Sequence, residues 1–162
     1  MLKDGTHGTH ADVDNGVYLL SAKNIKNGCV SIDENDRQIS IEEYEKIHTK
    51  FKLRNGDVLM TIVGTIGEAA ILENAENITF QRSVAFLRPN DEILNSFLLQ
   101  TIYTKSFQKE LDNRKATGAQ PGIYLGEVAQ ISVMLPKNLE EQRKISSHLT
   151  NIDNLITLHQ HK

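Results

Sequence analysis

His7 and His10 stand three residues apart in KDGTHGTH (residues 3–10), a spacing at which two imidazoles can share a metal ion. No cysteine or acidic residue stands at ligand spacing beside them, so a zinc site is not expected there. Histidine in a glycine-rich loop is more often a hydrogen-bonding residue. Cys29 is the single cysteine, which excludes an internal disulfide and any Cys-rich zinc module. It falls in an expected strand, where the expected role is a small buried apolar residue rather than a nucleophile. The acidic pairs Glu42-Glu43 and Glu140-Glu141 belong to first turns of helices, where the macrodipole accounts for them. VGTIGEA (63–69) has glycines but no Lys-Ser/Thr pair, so it is no P-loop, and no Gly-x-Gly-x-x-Gly follows a strand. The residues spell out no active site, metal site or cofactor site.

Three polar loops carry a different chemistry. Lys3, Thr6, His7, Thr9 and His10 lie in the first loop, and Lys23 and Asn24 in SAKN (21–24). Arg114, Lys115, Thr117 and Gln120 lie in NRKATGAQPG (113–122). Thr, Gln, Asn and His read base edges or hold phosphates, while Lys and Arg neutralise the nucleic-acid backbone. Each loop alone is an ordinary polar surface; together they matter only if the fold gathers them. The net charge of −3 argues against a general nucleic-acid coat. The charge is uneven, however. Residues 101–162 carry eight Lys/Arg against six Asp/Glu, which permits a local phosphate-facing patch without requiring one.

The elements that must position these loops follow from punctuation and period. A chain of 162 residues fits one domain, or one domain with an appendage. With 6% aromatics and no Trp, its core must be built mainly from Ile, Leu and Val. GVYLL (16–20), CVSI (29–32) after Asn27-Gly28, VLMTIV (58–63), EAAIL (68–72) and VAFLRP (84–89) read as strands. Gly64 to Gly67 mark a hairpin or tight reversal. Ser40 with Glu43 forms a capping box for a short helix carrying Ile41, Tyr44 and Ile47 on one side. Leu94, Phe97, Leu98, Ile102, Phe107 and Leu111 recur at helical spacing and predict one continuing helix. ISVML (131–135) reads as a strand before Pro136, and Asn138, with Glu141, caps a final helix. The longest apolar stretch is far too short to span a bilayer, and the polar N-terminus lacks a secretory signal, so a soluble, cytoplasmic protein is expected.

In the final helix Ile145, Leu149, Ile152 and Ile156 follow the 4-3-4 spacing of a coiled-coil seam, which Leu155 widens. Packing on its own domain is the commoner fate of such a helix. Its length, and the lack of a C-cap glycine, favour a partner helix instead.

The order of these signals resembles a target recognition domain from the specificity subunit of type I restriction-modification enzymes. The resemblance runs through DGTHGTH (4–10), GVYLLSAKNIKNG (16–28), GDVLMTIVGTIGEAAIL (56–72), TGAQPGIYLGEVAQISVMLP (117–136) and LPKNLEEQRKISSHLTNID (135–153). It implies a mixed α/β (α+β) fold, with a recognition domain over residues 1–136 and a spacer or dimerisation helix over 137–162. It also implies a non-catalytic subunit without a cofactor. Double-stranded DNA, methyltransferase and restriction subunits, and a second specificity half paired through the helix are the implied partners. A full specificity subunit usually has two recognition domains and this chain has one, so a half-subunit or a fragment is expected. The alternatives are a recognition domain of a single-chain restriction-methylation enzyme, and a coiled-coil scaffold without DNA binding.

Overall fold

The structure is a computed structural model and describes residues 1–160. In chain order its first elements are β1 (Leu2–Asp4), β2 (Val17–Leu20), β3 (Ile25–Lys26), β4 (Cys29–Val30), β5 (Gln38–Ile39) and α1 (Ile41–Lys50). There follow β6 (Val58–Thr61), β7 (Ala69–Ile71), β8 (Ile78–Phe80) and β9 (Val84–Leu87). The helices α2 (Asn95–Ile102), α3 (Lys105–Arg114), α4 (Leu125–Val128) and α5 (Leu139–Gln160) complete the chain, a mixed α/β architecture.

All four residues of β6 are buried, and because successive strand side chains point to opposite faces, this strand needs cover on both. It lies inside an antiparallel four-stranded sheet of order β1-β9-β6-β7. Val58 and Met60 face a helical layer built from Leu98, Ile102, Phe107 and Leu111. Leu59 faces the other way, onto Leu20, Ile78 and Phe80 of the second sheet, whose order is β5-β2-β8. The register pairs Met60 with Ala85 and Leu59 with Phe86, so a large residue stands beside a small one on the helical face. Two apolar layers on one sheet explain how so few aromatics suffice.

Local chemistry places the turns. Asn27 (φ 51°) and Gly28 (φ 78°) both adopt the left-handed region, forming the two-residue turn that joins β3 to β4. Gly64 and Gly67, also at positive φ, bracket the reversal between β6 and β7. The Ser40 side chain caps α1 by accepting a hydrogen bond from the Glu43 amide, while the Glu43 carboxylate turns to His10 instead of closing the reciprocal half of a capping box.

Four expectations are corrected. The helix predicted through 94–111 divides at Tyr103-Thr104. The Thr104 hydroxyl caps α3 by accepting from the Phe107 amide, while the Tyr103 hydroxyl turns inward. That hydroxyl donates to Ala69 O and accepts from the Ala69 and Gly28 amides, clasping β7 to the β3–β4 ribbon. Burial raises the Tyr103 pKa above the ordinary phenol value, opposed by the hydrogen bonds to Ala69 and Gly28. ISVML forms no strand. It lies across α2, α3 and the base of α5, with Met134 exposed, so no open strand edge is offered to it. Cys29 is exposed rather than buried, because β4 pairs only with β3 in a two-stranded ribbon. On α1, Ile47 is buried but Ile41 is exposed, so the apolar side is shorter than its spacing predicts.

Helix α5 spans 22 residues, about 33 Å at ~1.5 Å per residue. The Asn138 side chain accepts from the Glu140 amide at its start. Polar side chains anchor it to its own domain. Gln142, fully buried, accepts from the Leu94 amide and donates to the carbonyls of Glu92 and Pro136. One turn on, Ser146 meets Ser96 of α2, and further along Gln100 of α2 donates to Asp153. Ile145 and Leu149, both 37% exposed, line a cleft against α2, α3 and the 131–136 segment, and Ile152, Leu155 and Ile156 continue the apolar stripe on the exposed surface.

Candidate nucleic-acid interface

Backbone pairing carries the first and third polar loops to one end of the main sheet. Beyond β1, the Thr6 amide donates to Phe80 O and the Arg82 amide to Thr6 O. The Ile62 amide donates to Ser83 O, the Ile123 amide to Ile62 O, and the Gly64 amide to Pro121 O. The Ala116 amide closes the last loop onto Gly122 O. Segments far apart in the chain therefore lie side by side in the order 6, 82, 62 and 122. Gly5 makes this possible. A Cβ there would stand 2.0 Å from Phe80 O and 2.5 Å from Gln81 O, so any other residue would push the first loop off the sheet.

Two clefts open on this end. One, of about 300 Å³, brings His7 and Gln120 together with Asp4, Arg82 and Tyr124. The other, of about 610 Å³, lies between the first loop and α1 and is lined by Lys3, Thr6, His7, His10, Glu43, Lys46 and Lys50 among others. Asp4 and His7 line both, so they form the ridge between them. The His7 imidazole donates from Nε2 to Asp4 Oδ2 and is otherwise well exposed. Thr6 Oγ1 lies 2.9 Å from His10 Nε2, and His10 Nδ1 faces Glu43 Oε2 at 3.5 Å, which ties the loop to α1. Lys3 Nζ donates to Lys50 O, and Thr9 is exposed at the loop tip.

The remaining residues divide. Thr117 and Gln120 are exposed at the tip of the third loop, and Lys115 pairs with Asp112 at 2.7 Å on the surface. Arg114 braces α3 against α4 through Glu110, Glu127 and Gln130. The second loop does not join the cleft. Its Ala22 amide reaches Ser83 Oγ, but Lys23 pairs with the buried Asp36 at 2.6 Å. Asn24 is corrected outright as a DNA-contacting residue. It is 3% exposed, its amide donates to Ser31 O and Asp36, and its oxygen accepts from the Ser21 amide. An Asn with every side-chain group used internally has no edge left to offer.

Arg82 and Tyr124 escape a reading by motif. Arg82 sits in QRS between two strands with no glycine or basic neighbour to mark it, and Tyr124 looks like an ordinary residue opening a short helix. Both are exposed, and both line the smaller cleft. Among the described residues no group of three or more His, Cys, Asp and Glu side chains is placed to hold a metal ion, and no helix is long and apolar enough to cross a membrane.

This arrangement has relatives. The chain is similar to the type I restriction enzyme MjaVIII specificity subunit of Methanocaldococcus jannaschii, with 28% identity over 91% of this chain and 38% of that protein. It is likewise similar to the EcoBI specificity subunit of Escherichia coli, with 29% identity over 83% of this chain and 28% of that one. It thus spans about a third of the length of the relatives it matches. Its fold is that of the HsdS subunit from Thermoanaerobacter tengcongensis, with a TM-score of 0.65 at 19% identity over 99% of this chain and 36% of that one. The S subunit from M. genitalium superposes with a TM-score of 0.59 at 16% identity, over 95% of this chain and 36% of that one. The model of the type I restriction modification DNA specificity domain matches residues 8–162, and the chain belongs to that family.

Proposed function

We propose that this chain recognises one half of a bipartite DNA site as a non-catalytic specificity unit, and that separate methyltransferase and restriction subunits act where it binds. The observation that carries this is the convergence of the 3–10 and 114–122 loops, with Arg82, on one end of the sheet. Such an edge offers base-reading side chains on a rigid frame, with Lys3, Lys46, Lys50 and Lys115 around it for phosphates. In this reading residues 1–136 recognise DNA and 137–162 assemble the complex in the cytoplasm. The stripe of Ile145, Leu149, Ile152, Leu155 and Ile156 pairs antiparallel with the same helix of a second copy or of another specificity half.

The test is binding to mixed-sequence duplex DNA across a salt series. A steep fall of affinity with salt supports the reading, because each neutralised phosphate releases counterions. A second reading is favoured by one observation, the neutralisation of Arg114 and Lys115 by carboxylates. In it the chain is a helix-paired scaffold without DNA contacts, and duplex DNA does not bind at any salt.

A further inference from the structure

We propose that the smaller cleft reads a G·C base pair, with Arg82 on the guanine and Asp4 on the cytosine. This deepens the DNA-recognition reading and rests on it. Arg37, Arg88, Arg114 and Arg143 each hold a carboxylate. Among the described residues Arg82 and Arg54 form no ion pair, and of the two only Arg82 lines one of these clefts. Asp4 lines the same cleft as Arg82, and the two form no ion pair. His7 Nε2 donates to Asp4 Oδ2, leaving Oδ1 as an acceptor and the guanidinium fork unclaimed.

The frame beneath both residues is rigid. Asp4 closes β1 in register with Ala85. The backbone of Arg82 is held by Thr6 O, and its neighbours Gln81 and Ser83 are held by Leu20 O and the Ile62 amide. The cleft is therefore lined by both a guanidinium free of ion pairs and a carboxylate with one oxygen open as an acceptor. In the major groove a G·C pair shows two acceptors, N7 and O6 of guanine, beside the cytosine N4 donor. That pattern is the complement of Arg82 and Asp4. An A·T pair would set thymine O4 and a methyl group in the place of the cytosine donor, so a carboxylate there would meet an acceptor. His7 acts as a positioning residue, holding the Asp4 carboxylate at its angle.

The test selects bound sequences from a random duplex pool with the full chain, its Arg82→Ala variant and its Asp4→Asn variant, and measures the salt slope of each. The wild type should enrich a motif containing one invariant G·C. Arg82→Ala should keep the other positions, lose preference at that one, and bind the wild-type site about ten- to a hundredfold more weakly, the value of one bidentate contact. Its salt slope should not change. Asp4→Asn should admit other pairs at the same position. Retention of the G·C by Arg82→Ala, with weaker binding to every sequence and a slope lowered by about one, would make Arg82 a phosphate contact and overturn the proposal. Failure of the wild type to bind any duplex would instead overturn the DNA-recognition reading beneath it. Arg82 is exposed and its side chain touches no polar partner among the described residues, so its removal should leave the urea midpoint unchanged.

Discussion

Ser146 Oγ of α5 lies 3.0 Å from Ser96 Oγ of α2, in a contact that leaves Ser146 only 2% exposed. With Gln142 one turn before it, this makes the polar side of α5 the side that docks in cis. The apolar residues lie beside that side rather than opposite it: Ile145 and Leu149 face a cleft shared with Phe97 and Phe107, while Ile152, Leu155 and Ile156 stay exposed.

Gln142→Ala should therefore destabilise the docking of α5. The substitution leaves the Leu94 amide and the carbonyls of Glu92 and Pro136 without their partner in a fully buried place. A loss of about 2–3 kcal/mol is expected, from stranded buried polar groups. Urea unfolding followed by circular dichroism measures it.

The apolar stripe predicts self-association. Ile152 is 40% exposed in the lone chain, so Ile152→Asp should fold normally. In a paired helix the same change buries a charge in the seam. Analytical ultracentrifugation should find a dimer for the wild type and a monomer for the variant. An unchanged dimer mass in the variant would show that another surface holds the pair.

Lys115 pairs with Asp112 three residues earlier on the helix surface, a contact of the kind that adds little to stability. Lys115→Ala should leave the unfolding midpoint where it is. If Lys115 contacts a phosphate, DNA affinity should fall for all sequences alike and the salt slope should drop by about one. Titrations at three or more salt concentrations decide it.

Gly5→Ala tests the frame itself. The added Cβ would stand inside contact distance of two backbone oxygens, Phe80 O and Gln81 O, neither of which can swing aside. A loss above about 3 kcal/mol is expected, at the high end for single substitutions. The first loop should lift from the sheet, which proton exchange at the Thr6 and Arg82 amides would report.

His48 predicts a pH dependence. Burial, with a smaller contribution from the nearby Lys52, holds its pKa below the ordinary histidine value, and its Nε2 is buried without a hydrogen-bond partner among the described residues. The unfolded chain then takes up the proton first, so stability is full above about pH 6.5, the unfolded value, and falls as pH drops below it toward the lower folded value. His48→Phe, which keeps a ring between Tyr44 and Phe51, should shrink the difference between urea midpoints at pH 7.5 and 5.5. An equal difference in both proteins would place the pH effect at other groups.

What the sequence determined by itself was everything set by near neighbours. The Asn27-Gly28 turn and the caps at Ser40 and Asn138 depend on contacts a few residues apart. The helical spacing of Ile145, Leu149, Ile152 and Ile156 was equally legible, since it is a property of one helix. Tertiary structure decided which way that helix faces, because Gln142 and Ser146 found partners some fifty residues earlier in the chain. It decided that Tyr103 ends a helix in order to clasp Ala69, and that ISVML finds no strand to join. It withdrew Asn24 into an internal network and brought Arg82 to the cleft. A side chain's type and spacing fix what it is able to bind, but whether it stays free to bind depends on which distant carboxylates and carbonyls the folded backbone sets beside it. Asn24 was met by such partners, and Arg82 was not.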